Sequence, residues 1–417
     1  MWTIKTYGIK GGLNISKYQF IMGYFLALIF FSIASFIFTK KSFLHKKVLS
    51  HGEFKSVPNY YGYCSTIWTL LGAFTLIFVL ATTKKLSLEL FTLATLIFTV
   101  ALNLFVQKKL SGEFNARKHF EKAFMIILKI TSLISIIITF MIIASILLEA
   151  LRFFSQIPLT SFLFGTKWSP QSAMPGAAGA GNFGAIPVFL GTLLITTIAI
   201  IIAVPFGIYS AVYLTEYANK KFRSIAKPIL EILAGVPTVV YGYFAAFTVA
   251  PFLKSLFANF GIPIEAESAL AAGVVMGIMI IPFVLSLSDD VMNAVPDALR
   301  SASLGLGSTK SEMIKKVIIP AALPGISGAV LLAISRAIGE TMIVVMAAGL
   351  NAKMTFNPLE SVTTATAQIV TLLVGDQEFD SNKTLAAFAL GITLFVITLM
   401  LNLFALIIVK KYREQYD

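Results

Sequence analysis

AISRAIGETM (333–342) lies inside a run that is otherwise apolar or small from Gly325 to Leu350. GISGAVLL stands before it and IVVMAAGL after it. A bilayer takes about 20 apolar residues to cross. The run is therefore expected to be a membrane helix with Arg336 and Glu340 near its middle. A charge at that depth costs roughly 2.5–3.5 kcal/mol. The two residues are i and i+4, which places them on one helix face where they can pair. One reading is an ion pair that fixes helix packing. The other is function, the default for ionisable residues inside a membrane. Ser335, Gly339 and Thr341 keep the neighbourhood small and polar, and small residues let helices approach or leave room for a solute.

The rest of the chain agrees with a membrane setting. It has 417 residues, 57% hydrophobic and only 13% charged, with a mean hydropathy of +0.85. That composition describes a polytopic membrane protein, all-α. Nine membrane helices are expected, at about 21–38, 67–82, 86–106, 124–148, 188–214, 228–252, 268–288, 325–350 and 384–409. The net charge is +13, but Lys and Arg gather in short loops between apolar runs, a membrane-topology signal and not a nucleic-acid one. Loops 107–123, 215–227 and 289–324 and the tail are basic and fall on one side, expected to be cytoplasmic. Alternation then puts the N-terminus outside. Loop 351–383, with Glu360, Asp376, Glu378 and Asp380, falls outside too. The first run, 21–38, is read as an uncleaved helix.

Residues 1–120 read as an N-terminal extension of three helices with little internal polarity. Residues 121–417 read as a second domain, with a core at 188–409 and a long cytoplasmic loop at 297–324. No internal repeat is evident. The single cysteine, Cys64, excludes an intramolecular disulfide and a cysteine metal site. His45, His51 and His119 lie in basic loops without metal-ligand spacing. GAGNFG (179–184) matches G-x-G-x-x-G but lacks the strand a dinucleotide site needs, so it reads as a flexible linker. GLGSTKS (305–311) has Thr309 where a P-loop requires Gly. No ATPase site of the chain's own is expected.

The loop DALRSASLGLGSTKSEMIKKVIIPAALPGI (297–326) reads as two short helices. Ala298, Ala302 and Leu306 line one face of the first. Gly305 and Gly307 permit a reversal with positive φ. Ser308 or Thr309 can cap the second helix, with Glu312 in its first turn. Met313, Ile314, Val317 and Ile318 supply an apolar face, and Pro320 and Pro324 redirect the chain into the membrane. Such a hairpin suits docking into a groove on a partner, or packing on its own helices. Its spacing resembles the EAA loop of ABC-importer permeases, E-A-A-x3-G-x9-I-x-L-P. Ser301, Ala302 and Ser303 stand at EAA, Gly307 at the glycine, Val317 at Ile, and Ile319 and Pro320 at Leu-Pro. Serines replace the initial Glu and the second Ala. The resemblance implies a six-helix type I permease core and a coupling helix seated on an ATP-binding subunit.

GTLLITTIAIIIAVPFGIYSAVYLTEYA (191–218), KPILEILAGVPTVVYGYFA (227–245) and SRAIGETMIVVMAAG (335–349) resemble the permeases of the phosphate-specific transport (Pst) system. Met342–Val345, the tail TLMLNLFALIIVKKYRE and KWSP (167–170) are more like its C subunit, PstC, than its A subunit. VPNYYGYCSTIWTLLGAF (57–74) resembles the N-terminal extension of a longer C-subunit group. The resemblance implies a bacterial inner-membrane permease for inorganic phosphate. Its implied partners are a sister permease, two ATP-binding subunits carrying ATP-Mg, and an extracytoplasmic phosphate-binding protein. No cofactor is implied in this chain. Arg336 and Glu340 match the Arg and Glu of the family's transport path. Arginine suits that role chemically, because its planar fork can hold two phosphate oxygens. Glu340 would hold Arg336 between transport events and compete with phosphate, so that release stays possible. Alternative readings are a permease for another oxyanion such as molybdate or sulfate, an ion-driven secondary transporter, and a non-transporting scaffold or sensor.

Overall fold

A computed structural model describes residues 29–45, 55–83, 88–110, 114–170, 181–374 and 381–413. His51 lies outside the described residues, as do Asp376, Glu378 and Asp380. The chain divides into two compact units, Met1–Thr139 and Phe140–Asp417.

The first unit contains α1 (described over 29–45), α2 (Pro58–Thr83), α3 (Leu88–Lys109) and the start of α4 (Ala116–Gln156). The expected low internal polarity is corrected here. Ser35, Ser65, Thr69, Thr99 and Asn103 are all buried. Ser35 Oγ lies 3.3 Å from Ser65 Oγ, Asn103 Nδ2 donates to Ser35 Oγ, and Thr69 donates back to the Ser65 carbonyl at 2.9 Å. Hydrogen bonds between apolar helices fasten them where hydrophobic burial discriminates little. At one end Tyr61 donates to the Phe114 carbonyl at 2.9 Å and stacks on Phe43.

The second unit continues with α5 (Leu159–Phe164), β1 (Trp168–Ser169), β2 (Asn182–Phe183) and α6 (Ile186–Val212), which a π turn extends to Tyr217. Then come α7 (Lys220–Ala234), α8 (Thr238–Phe244) and α9 (Ala250–Ala258), the last two joined by a π turn. The remaining helices are α10 (Ala269–Asn293), α11 (Asp297–Gly305), α12 (Lys310–Met313), α13 (Ile319–Ile338), α14 (Met342–Ala347), α15 (Ala365–Leu373) and α16 (Asn382–Arg413). Asn182 and Phe183, from the GAGNFG stretch, pair antiparallel with Ser169 and Trp168. That half of the expected linker is a small hairpin. Trp168 inside it donates to Gln368 Oε1 at 2.8 Å.

Among the described residues six helices are long and apolar enough to cross a membrane: Ala116–Gln156, Ile186–Tyr217, Thr238–Ala258, Ala269–Asn293, Lys310–Ile338 and Asn382–Ile408. The first three of the nine expected spans fall on α1–α3, with residues 21–28 outside the described set. Two of the expected six core spans are corrected. The span at 228–252 begins only at Thr238, because α7 is a separate amphipathic helix and Gly235 and Pro237 break the chain after it. The span at 325–350 instead runs Lys310–Ile338 and stops.

α6 and α10 form the centre. Gly273 and Gly277 turn the same face of α10 toward α6. A Cβ at Gly273 would come within 2.7 Å of the Ile198 side chain, and one at Gly277 within 2.9 Å of the Ala199 carbonyl. Small residues four apart let two helices touch backbone to backbone.

Candidate functional site

The break after Ile338 decides the site. Gly339 ends α13, and Met342 opens α14. Arg336 and Glu340 therefore do not share a helix face, and no ion pair joins them among the described residues. Nor is Arg336 in mid-span. It occupies the last turn of a helix that has run from Lys310, ~39 Å of axial rise.

The break supplies what a mutual ion pair would have supplied. A helix carries a partial negative charge at its C-terminus and a partial positive charge at its N-terminus. Arg336 sits at the former. Glu340 sits at the latter, where its Oε1 accepts from the backbone N–H of Met342 at 3.1 Å and Ile343 at 3.4 Å. Its own carbonyl accepts from Thr366 Oγ1 at 2.6 Å, tying the break to α15. Glu340 is buried and satisfied. Arg336 is exposed, and among the described residues its guanidinium has no counter-ion and no hydrogen bond. It lies over the Phe283 ring of α10 at 5.6 Å. The site thus presents a cation held by a helix end and an aromatic face, with its donors free among the described residues. Ser335 faces elsewhere, donating to Asn402 Oδ1 at 2.8 Å and joining α13 to α16.

The long loop folds into the expected hairpin. Thr309 caps α12 in a reciprocal box with Glu312, and Gly307 takes φ +86° at the reversal. Gly305 needs no positive φ. One expectation fails. Pro320 and Pro324 do not turn the chain, since Lys310–Ile338 is one continuous rod. A π turn at Ile314–Ile318 ends two residues before Pro320, where a helix must accommodate a ring and a missing N–H. The two arms differ in burial. Met313, Ile314 and Ile318 are buried against Leu214, Leu285 and Met292 of the chain's own core. Val317 and Ile319 are half-buried, and Pro320 is exposed. On α11, Ser301 and Ala302 are exposed, and Ser303 shares a 2.7 Å hydroxyl contact with Ser308. Leu304 and Leu306 at the tip point outward, Leu306 with 90% of its surface free.

A charge cluster that sequence reading missed ties α7 to the ends of α6 and α10, and an arginine beside it fastens the hairpin. Asp289, fully buried at the end of α10, accepts from Arg223 at 2.9 and 3.0 Å, Lys227 at 2.7 Å and Thr215 at 2.7 Å. The hydrogen bond to Asp289 raises the Lys227 ammonium above the ordinary lysine range. Next to it Arg300 of α11 pairs with Glu216 at 3.2 Å and donates to the Met292 and Val295 carbonyls. The available signal was Asp289–Asp290 closing an apolar helix, opposite the basic run of α7.

Residues 203–414 match the family model for the binding-protein-dependent transport system inner membrane component. The chain is 34% identical over 259 residues to phosphate transport system permease protein PstC of Mesorhizobium japonicum, covering 58% of this chain and 75% of that protein. It is 30% identical over 326 residues to PstC of Haemophilus influenzae, covering 72% and 98%. It is 32% identical over 239 residues to the probable ABC transporter permease protein YqgH of Bacillus subtilis, covering 57% and 74%.

Proposed function

Because the chain belongs to the binding-protein-dependent transport system inner membrane component family, we propose that it is the permease subunit of a phosphate ABC importer, spanning the bacterial inner membrane and forming one half of the translocation path. The unpartnered guanidinium of Arg336 carries the reading. Phosphate sheds water to enter a low-dielectric path and needs a cation that is not already engaged. Arg336 offers a planar fork matched to two of its oxygens. Glu340 acts on the path as the residue that fixes the break. Its carboxylate accepts from backbone amides, and no ion pair joins it to Arg336 among the described residues, so the cation stays available. A lone arginine supported by a helix end and a ring attracts an anion without enclosing it, and conduction needs release as much as entry.

The sister permease of a Pst-type complex completes the path around the exposed Arg336. ATP-Mg is bound and hydrolysed on two separate ATP-binding subunits. The hairpin Ser301–Pro320 docks on one of them through its outward tip, Leu304 and Leu306. Its buried arm, Met313, Ile314 and Ile318, passes the motion into the rod Lys310–Ile338, whose far end carries Arg336. An extracytoplasmic phosphate-binding protein delivers substrate on the opposite side.

The test is uptake of radiolabelled phosphate by cells carrying Arg336→Ala or Glu340→Gln, with complex assembly checked by co-purification of the ATPase and the second permease. Loss of uptake with assembly intact is expected for Arg336→Ala. Normal uptake in both variants, fully assembled, defeats the proposal. Uptake competed by molybdate or sulfate and not by phosphate assigns another oxyanion.

A further inference from the structure

The first unit contains a cavity that the transport reading does not use. Its volume is about 650 Å³, within the 300–1,000 Å³ range of small-molecule sites. Trp68 and Leu71 of α2 and Phe98, Leu102 and Phe105 of α3 line its length, and Lys109 and His119 line one end. The wall from Phe98 to Lys109 rises ~16 Å, about one leaflet of hydrocarbon. The cavity is therefore amphiphilic along a single axis, oily for the depth of a leaflet and basic at the loop.

The basic end is unusually rich in positive charge. Lys108 and Lys109 close α3, and Arg117, Lys118 and His119 lie in the first turn of α4. Arg117 is engaged by Glu121 at 2.7 Å. Lys109 has no acidic partner among the described residues and rests near the Phe105 ring at 5.9 Å. His119 is held in place by stacking on Phe114 and by a 3.0 Å contact of Nδ1 with the Asn115 carbonyl. On the other side of Leu110 lies a smaller cavity of about 270 Å³, lined by Thr39, Ser42, Gln107 and Lys108. The buried Thr39 hydroxyl there has no hydrogen-bond partner among the described residues. Polar groups of a ligand at the basic end of the larger cavity meet Lys109 and His119.

We propose that this cavity is a site for one anionic phospholipid, one of its two acyl chains between α2 and α3 and its phosphate against Lys109 and His119. Shape selects a chain of leaflet length, and charge selects the head. Basic residues at a membrane surface favour anionic lipid over zwitterionic lipid through the same electrostatics that set topology.

Trp68 inside the cavity gives the readout. The full chain, purified in nonionic detergent and stripped of lipid, is titrated with phosphatidylglycerol carrying brominated acyl chains, which quench nearby indoles. The signal is the fluorescence difference from Trp68→Phe. Saturable quenching at one lipid per chain is expected, with brominated phosphatidylcholine needing about tenfold more. The exposed pair Lys109→Gln and His119→Gln should erase that preference while leaving quenching by both lipids. Unsaturating quenching, equal quenching by both headgroups, or a preference that survives the double variant overturns the assignment. So does absence of quenching by either lipid, which would mean another part of the chain fills the cavity.

Discussion

Arg300 and Arg336 are chemically identical and structurally opposite. Arg300 keeps 16% of its side chain exposed and spends its donors on Glu216, Asp297 and the Met292 and Val295 carbonyls. It locks the start of the hairpin to the ends of two long helices. Arg336 is exposed, and among the described residues a ring is its one partner. A guanidinium that is fully engaged is a fastener, because moving it breaks several bonds at once. One that is held by a helix end and an aromatic face stays free to bind. If Arg336 serves the proposed path, stability resides in the charge clusters at the ends of α6 and α10 and selectivity at the break, and substitutions should separate the two.

The largest expected effect is on the fastened side. Asp289→Ala removes a fully buried carboxylate, leaves Arg223 without an acidic partner among the described residues and leaves Lys227 with the exposed Asp290 alone. Breaking a buried pair costs about 3–5 kcal/mol, and both cations keep some access to water, so a loss near 3 kcal/mol is expected. Thermal unfolding in detergent measures it. An unchanged midpoint would remove the cluster from the fastening role. On the free side, Arg336→Ala should lower phosphate uptake about 100-fold, ~2.7 kcal/mol. Its unfolding midpoint should stay within about 0.5 kcal/mol of the parent, as for a surface change. A midpoint falling as far as in Asp289→Ala would erase the distinction. A smaller effect tests the joint between the two regions. Thr309→Ala removes the box that starts the rod and should cost about 1 kcal/mol. Hydrogen exchange should concentrate that loss in residues 308–314, leaving the break at Gly339 unaltered.

Much of this was legible in the chain. The hairpin announced itself, because Gly307 with Thr309 and Glu312 is a local code for a reversal followed by a cap, and local codes need no tertiary knowledge. The apolar runs located α6, α10 and α16 within a few residues. The break at Gly339 was misread because hydropathy averages over it. Gly-Glu-Thr is a stop followed by a carboxylate that can cap, but inside an apolar run those three residues look like a polar interruption of one helix. The same averaging fused α7 to α8 across Pro237. The Asp289 cluster was hidden for another reason. Its four members come from α6 and its π turn, α7 and α10, and only packing brings residues 215, 223, 227 and 289 together. Glu340 was found as a site residue with the wrong partner, since i, i+4 spacing predicts a pair only where the helix continues.

A third kind of charge completes the comparison. On the loop between α14 and α15, Lys353, about half exposed, pairs with the half-buried Glu360. This pair is neither buried like Asp289 nor free like Arg336. The hydrogen bonds from Lys353 and Asn357 hold the Glu360 carboxyl below the usual glutamate range. Hydrogen bonding to Glu360 likewise raises the Lys353 ammonium. A depressed carboxyl contributes stability above its unfolded pKa, about 4.3, and loses it as the pH falls through the lower folded value. A raised ammonium contributes below its unfolded pKa, about 10.4, and loses it as the pH rises through the higher folded value. The loop should therefore hold its conformation evenly through neutral pH and loosen on the acid side below about pH 4. Exposed pairs contribute little, so the readout must be local: amide exchange across 351–364, corrected for its intrinsic pH dependence. Lys353→Met should flatten the acid limb while leaving phosphate uptake and the unfolding midpoint in place. If that variant instead lowered uptake as far as Arg336→Ala, charge on this outer loop would belong to the transport path, and the line between fastened and free charges would have to be redrawn.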